Sequence, residues 1–195
     1  MPKTVDRDEQ RRQIGAALLD LAAEHGLDEV SVRTVAARSG RSLGAVQKYF
    51  RSKDDMLTFA AELAGERAEE RMAAVDPELP LRGALRDLVL ATLPVDAARR
   101  AEAAAQLAFA TRAAHHPALA AVRRRVDQEV RTALADWLSA AGHTGAAHSR
   151  TRGLALADAV IALADGFALR LLYAPDEQED LLRALDHALD SLVGD

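Results

Sequence analysis

The chain of 195 residues contains no cysteine, which excludes a disulfide framework, a thiolate metal site and a cysteine nucleophile together. Aromatic residues amount to only 4%. Nowhere do about 18 apolar residues run uninterrupted, as a membrane-spanning helix requires, and the opening MPKTVDRDEQRRQ is too polar for a secretory leader. A cytoplasmic location and no membrane partner are therefore expected. Alternating strand patterns and internal repeats are absent, and the only compositional bias is heavy use of alanine. No nucleophile elbow, phosphate loop or paired-carboxylate pattern occurs, so the chain is not expected to be an enzyme. Nor is a metal expected. His115 and His116 are adjacent, and on a helix they diverge by about 100°, unlike an i, i+4 ligand pair. His143 and His148 fall in a glycine-containing loop, HTGAAHS, with no carboxylate or thiol nearby to complete a site. No cofactor is expected either.

What the chain does have is 49% hydrophobic and 28% charged residues, the balance of a globular protein long enough to bury a substantial core in one or two domains. Its net charge of −5 hides a division. Residues 1–55 carry 10 bases and 9 acids, whereas residues 56–195 carry 15 and 21. A mostly acidic body with one basic face can orient a molecule on a polyanion, so the overall charge does not argue against nucleic-acid binding.

The basic face is local. From Ser31 to Lys53 there are six bases (Arg33, Arg38, Arg41, Lys48, Arg51, Lys53) and no acid. Within this span VRTVAARSGRSLGAVQKY reads as two short helices joined by a turn at Gly40. Val35, Ala36, Val46 and Tyr49 fall where a helix-turn-helix needs small or apolar residues, and a side chain larger than Ala36 would push the two helices apart. Two amphipathic helices with a solvated basic face are the plainer reading. The agreement of spacing, charge segregation and flanking helices favours a phosphate-facing surface.

Residues 11–63 resemble the DNA-binding domain of the TetR family of transcriptional regulators. The likeness lies in a first helix running into LAAEHGLDEVSV, the helix-turn-helix, and YFRSKDDML opening a fourth helix. Further on, ADGFALRLLYAPD has a weaker likeness to the C-terminal domain of BetI-type members.

Along the chain, Ile14, Leu18, Leu21 and Ala22 repeat at helical spacing, which predicts a first helix over about 5–25 stopped by Gly26. Ser31 caps a second helix. The third runs over about 43–50, and Ser52 caps a fourth that extends to about Val75, with Asp54 and Asp55 in its positively polarised first turn. Pro80, Pro94 and His116-Pro117 then separate helices over about 80–93, 96–114 and up to Gly142. Two more follow over about 151–173 and 176–192. The expected fold is all-α, about nine helices, with a helix-turn-helix domain over 1–52 and an effector-binding and dimerisation domain over 53–195.

The DNA-facing residues are expected to be Arg33 and Thr34 at the start of the second helix, then Arg41, Ser42, Gly44, Gln47 and Lys48. Tyr49 and Lys53 are expected on phosphates. By the resemblance, Arg33 matches a position that can reach a base edge, where an arginine fork suits guanine. Gln47 stands where many family members carry tyrosine in the recognition helix; glutamine can pair with adenine instead. The expected partner is palindromic double-stranded DNA, and the expected role repression. The competing readings are a constitutive architectural DNA binder and a helical protein-interaction module, neither with an effector.

The last two helices carry wide apolar arcs, including Ala157, Phe167, Ala168 and Leu171 in one and Leu181, Leu185 and Leu189 in the other. A wide arc has two sides to satisfy, so a homodimer through these helices is expected, broken by arginine at Leu185 or Ala168. The alternative is the core of a monomer. An effector pocket is expected among helices four to eight. Its apolar lining is drawn from Phe59 and Leu63, from Leu88 and Val89, from Leu107 and Phe109, and from Val126, Val130 and Phe167. Its polar candidates are Thr92, Gln106, Thr111 and Asp165. Asp165 interrupts an apolar arc, so it either pairs internally with an arginine, the reading preferred, or awaits a ligand. Scarce aromatics argue against an aromatic cage for a quaternary ammonium, and the expected effector is a largely apolar small molecule.

Overall fold

A computed structural model describes residues 3–26, 29–76, 78–140 and 149–193. Among these the regular structure is entirely helical. The elements are α1 (Lys3–His25), α2 (Val32–Arg38), α3 (Leu43–Gln47), α4 (Lys53–Ala73), α5 (Leu81–Thr92), α6 (Ala97–Ala113), α7 (Pro117–Ala140), α8 (Ser149–Tyr173) and α9 (Gln178–Val193). The expected type and order hold throughout. The reading of HTGAAHS as a loop, with His143 and His148, lies outside the described residues.

The helix starts follow local chemistry. Ser31 Oγ accepts from the Thr34 amide while Thr34 Oγ1 accepts from the Ser31 amide, a reciprocal cap that starts α2. Ser42, Ser52 and Asp96 cap α3, α4 and α6 through the amides of Ala45, Asp55 and Arg99. Gly40, at φ 66°, makes the reversal between α2 and α3 in a backbone region that side chains with a Cβ rarely enter. The third helix stops three residues earlier than its sequence pattern suggests. Phe50, buried in the core, draws the chain into a turn after Gln47, although its amide still reaches the Val46 carbonyl at 3.0 Å. Before α9, Pro175–Glu177 form a single 3-10 turn, so the helix proper begins at Gln178 rather than Asp176.

Two main cores result. In the first, Ile14, Leu18 and Leu21 of α1 meet Val35 and Ala36 of α2, Val46 of α3 and Phe50. Met56, Leu57, Ala60 and Leu63 of α4 complete it. Ala36 is 3% exposed, as its tight place requires. Phe59 also packs here. Its ring lies against Gly15, where a Cβ would come within 2.8 Å, under the Arg11 guanidinium at 4.2 Å. In the second core, Leu85, Val89 and Leu93 pack with Leu138 of α7, Ala157 and Leu171 of α8, and Leu181, Leu185 and Leu189 of α9. Leu185 is 1% exposed within the single chain, so it does not lie on a second face, and arginine there attacks the fold itself. Ala168 is half-buried.

The fourth helix joins the two parts. Its N-terminal turns belong to the first core. Its C-terminal half is tied to α6 by Arg67 and Arg71, which hold the buried Glu102 carboxylate at 3.3 and 2.7 Å. Arg71 Nε also donates to the Ala91 carbonyl of α5 at 2.8 Å. At the other end of α4, Asp54 is bonded to Arg112 of α6 and lies 3.8 Å from His116.

Candidate nucleic-acid interface and cavity

The nine positions expected to face DNA divide into two groups. Arg33, Ser42, Gly44, Gln47 and Lys48 are exposed on α2, α3 and the turn between them. The side chains of Arg33, Lys48 and the nearby Arg51 make no hydrogen bond or ion pair with the described residues. A Cβ added at Gly44 would meet nothing within 4 Å, so a flat surface can approach the start of α3 closely. These side chains are free to turn outward.

The second group is half-buried. Tyr49 is half-buried, donates its hydroxyl to Gln10 Oε1 at 2.5 Å, and lies under Arg7, whose guanidinium carbon is 5.9 Å from the ring centre. Arg41 donates to Gln13 Oε1 at 2.8 Å and more weakly to Gln10 at 3.5 Å. Both therefore clamp the recognition helix to α1 rather than standing clear of it. Thr34 is occupied by its cap and by donating to the Glu29 carbonyl at 2.9 Å. Arg38 is neutralised by Glu24 across the α1–α2 contact, which lowers the Glu24 pKa chiefly through that hydrogen bond. Lys53 is half-buried in the first turn of α4. Sequence reasoning missed Leu43, which is 40% exposed beside Gly44 at the start of α3. An apolar side chain there can meet a thymine methyl. Spacing gave no signal for it, since Leu43, Val46 and Phe50 stand at i, i+3 and i+7 and read as one buried stripe.

A cavity of about 470 Å³ opens among the C-terminal end of α4, α5, α7 and α8. Of the residues named for an effector pocket, Leu88, Val89, Thr92, Val126 and Val130 line it. The other expected residues lie outside it. Phe59 and Leu63 belong to the first core, and Phe109 is buried with Ala61, Ala113 and Leu119. Gln106 donates to the Ala61 carbonyl and accepts from Arg123, bridging α4, α6 and α7. Leu107 is 43% exposed, and Thr111 donates to its carbonyl. Phe167 packs on the second core. In each case a neighbouring helix covers the side chain or the helix turns it away, which spacing along one helix does not reveal.

Asp165 also lies off the cavity, and no arginine pairs with it within ion-pair distance among the described residues. Desolvation raises its pKa; the charge of Arg123 offsets this in part, and Asp127 adds to it. Arg123 is engaged with Asp127 at 2.7 Å instead. Sequence reasoning missed Trp137, Val160 and Ile161 on the walls and Glu69 and Met72 from α4. Val126, Val130, Leu134 and Trp137 recur at helical spacing along α7, but spacing does not show that such a stripe forms a cavity wall.

Comparison with known proteins places this geometry. A family model described as BetI-type transcriptional repressor, C-terminal, matches residues 81–194, and one for bacterial regulatory proteins of the tetR family matches residues 14–58. The HTH-type transcriptional regulator PksA of Bacillus subtilis is 33% identical over 117 residues, covering 59% of this chain and 57% of its own length. The HTH-type transcriptional repressor Rv1474c of Mycobacterium tuberculosis is 43% identical over 82 residues, 42% of each chain. This chain thus spans about half the length of these curated relatives. Among solved structures, a transcriptional regulator from a Rhodococcus species superposes with a TM-score of 0.78 at 38% identity, covering 94% of both chains. The multidrug binding protein EbrR, complexed with imidazole, superposes at 0.64 with 28% identity, covering 92% of this chain and 89% of its own.

Proposed function

The chain belongs to the TetR family of transcriptional regulators, and from that premise we propose that it is a dimeric repressor released from a palindromic operator by a small molecule. Residues 1–52 read the DNA and 53–195 bind the effector and the second copy, with α4 shared between them. The observation that carries the reading is the outward face of α2 and α3, where Arg33, Gln47 and Lys48 stand exposed on a capped, glycine-turned scaffold. Rigid placement of a few uncommitted side chains is what major-groove reading needs. Arg33 and Gln47 supply base contacts, Lys48 and Lys53 meet phosphates, and Tyr49 and Arg41 set the angle of α3 against α1.

An apolar stripe on α8 supports the dimer. Ala162, Gly166, Leu169 and Tyr173 are exposed at helical spacing, Leu169 at 46% and Tyr173 at 69%. A Cβ at Gly166 would meet nothing in the single chain, which leaves room for a second helix to approach. The α5–α7–α8 cavity, open to α4, is the effector site, and an occupant there bears on the same helix that carries Lys53. Shifting α4 changes the spacing of the two recognition helices and so the population competent for DNA. That EbrR was solved with imidazole supports a small-molecule ligand for this fold.

Selection of bound duplexes from a random pool tests the proposal. The expected product is an inverted repeat whose half-site centres lie about 34 Å apart or modestly more. Recovery of sequences with no common symmetry contradicts it.

A further inference from the structure

Resting on the effector reading above, we infer that the cavity takes an amphipathic organic cation, an amine carried on an apolar body, rather than an anion or a neutral lipid-like molecule. The walls are apolar but the polar groups are of one sign. Glu69, Asp76 and Glu129 are its charged lining residues, and no lysine, arginine or histidine among the described residues lines it. Thr92 adds a hydroxyl already donated to the Val89 carbonyl at 2.8 Å.

The carboxylates differ in how far they are committed. Asp76 accepts from the Glu78 amide at 2.9 Å, and Glu129 has only the solvent-exposed Arg125, 3.8 Å away. Glu69 has no hydrogen bond or ion pair among the described residues. An anion entering would lose its hydration beside like charges, whereas an ammonium gains a partner as it is desolvated. Trp137 adds an aromatic face that favours the same sign of charge. With Trp137 the one aromatic residue on the walls among the described residues, these form no cage for a compact quaternary ammonium, so affinity must come from apolar contact with the ligand's body. The acidic excess of residues 56–195 raises the local concentration of cations as well.

Three probes of matched shape separate charge from bulk: 4-phenylbutylamine, 4-phenylbutanol and 4-phenylbutyrate, titrated calorimetrically at neutral pH. The amine should bind at least about tenfold more tightly than the alcohol, and the butyrate more weakly than either. In Glu69→Gln/Glu129→Gln, whose replaced side chains are exposed and whose fold is checked by circular dichroism, the amine's preference should shrink toward that of the alcohol with alcohol binding unchanged. Ala133→Trp, at an exposed wall position, should fill the cavity and remove amine binding. Equal affinity for amine and alcohol, tighter binding of the butyrate, a preference that survives the double substitution, amine binding that survives Ala133→Trp, or no amine binding at millimolar concentration each overturns the inference. The same probes added to the operator complex keep the two proposals apart. Release by alcohol but not amine sinks the cation reading and keeps the effector reading. Cavity binding of the amine without release does the reverse.

Discussion

On the proposed reading, in which some side chains of the DNA-facing surface read bases and others only hold phosphates, individual substitutions should fail in different ways. Gln47→Ala and Arg33→Ala should change sequence preference by about 1 to 3 kcal/mol per base contact, while Lys53→Ala should weaken all sequences and reduce the salt slope by about 1. Competitive binding against single-base operator variants at several salt concentrations separates them; a uniform loss for Gln47→Ala denies it a reading role. Tyr49→Phe leaves the ring under Arg7 but removes the bond to Gln10, and should cost about 0.5 to 1.5 kcal/mol of stability with sequence preference unchanged, as measured by urea denaturation. A shifted preference would show instead that the hydroxyl touches DNA. This contrast marks what was legible in the sequence. Charge segregation and the Gly40 turn marked out the candidate interface, but nothing in the spacing said that Arg41 and Tyr49 would be claimed by Gln10 and Gln13, between 28 and 39 residues earlier. Long-range pairing of polar side chains has no periodic signature.

At the scale of helices, caps, prolines and apolar stripes were enough to order the described elements, because α2, α3, α4 and α6 start at caps that bond three positions on and Pro80 and Pro117 stand at the starts of α5 and α7. Which side of a stripe meets which neighbour was not legible. Leu185 illustrates this: it reads as a second-face residue and is sealed in the chain's own core. Gly166→Leu is the better probe of assembly. A Cβ at that position meets nothing in the single chain and leucine is the better helix former, so the fold should gain up to about 1 kcal/mol while the dimer weakens. Sedimentation of wild type and variant at micromolar concentration checks this, and an unchanged mass distribution removes α8 from the interface. The joint between α4 and α6 carries a pH signature. Hydrogen bonding from Arg112 holds the Asp54 carboxyl below its usual range, with desolvation opposing and the charges of Arg112, His116 and Lys53 assisting. A carboxylate depressed in the folded state stabilises above its ordinary pKa of about 4, and that contribution is lost as pH falls through the folded value. The melting-temperature gap between wild type and Asp54→Asn should therefore be open at neutral pH and close in acid below about pH 4. A gap that stays constant through that range would place the effect elsewhere.

For the whole molecule, the division of charge explains how an acidic protein can address DNA. Among the described residues, Arg33, Lys48 and Arg51 stay uncommitted around α2 and α3, while the excess of acids lies beyond residue 55 and away from them in sequence. In the proposed dimer, two such faces joined through α8 and α9 would make a bivalent surface, and the cavity beside α4 would couple its occupancy to their spacing. Coupling is reciprocal, so operator must weaken an inducing ligand by the same factor that the ligand weakens operator. The most direct test of a sequence-reading dimer is a fluorescence anisotropy titration of the selected inverted repeat and of its scrambled counterpart across about 50 to 200 mM salt. Two chains should bind per duplex, at least about 1,000-fold more tightly to the repeat, with both affinities falling steeply as salt rises. Equal affinity for the two duplexes at every salt concentration would contradict it.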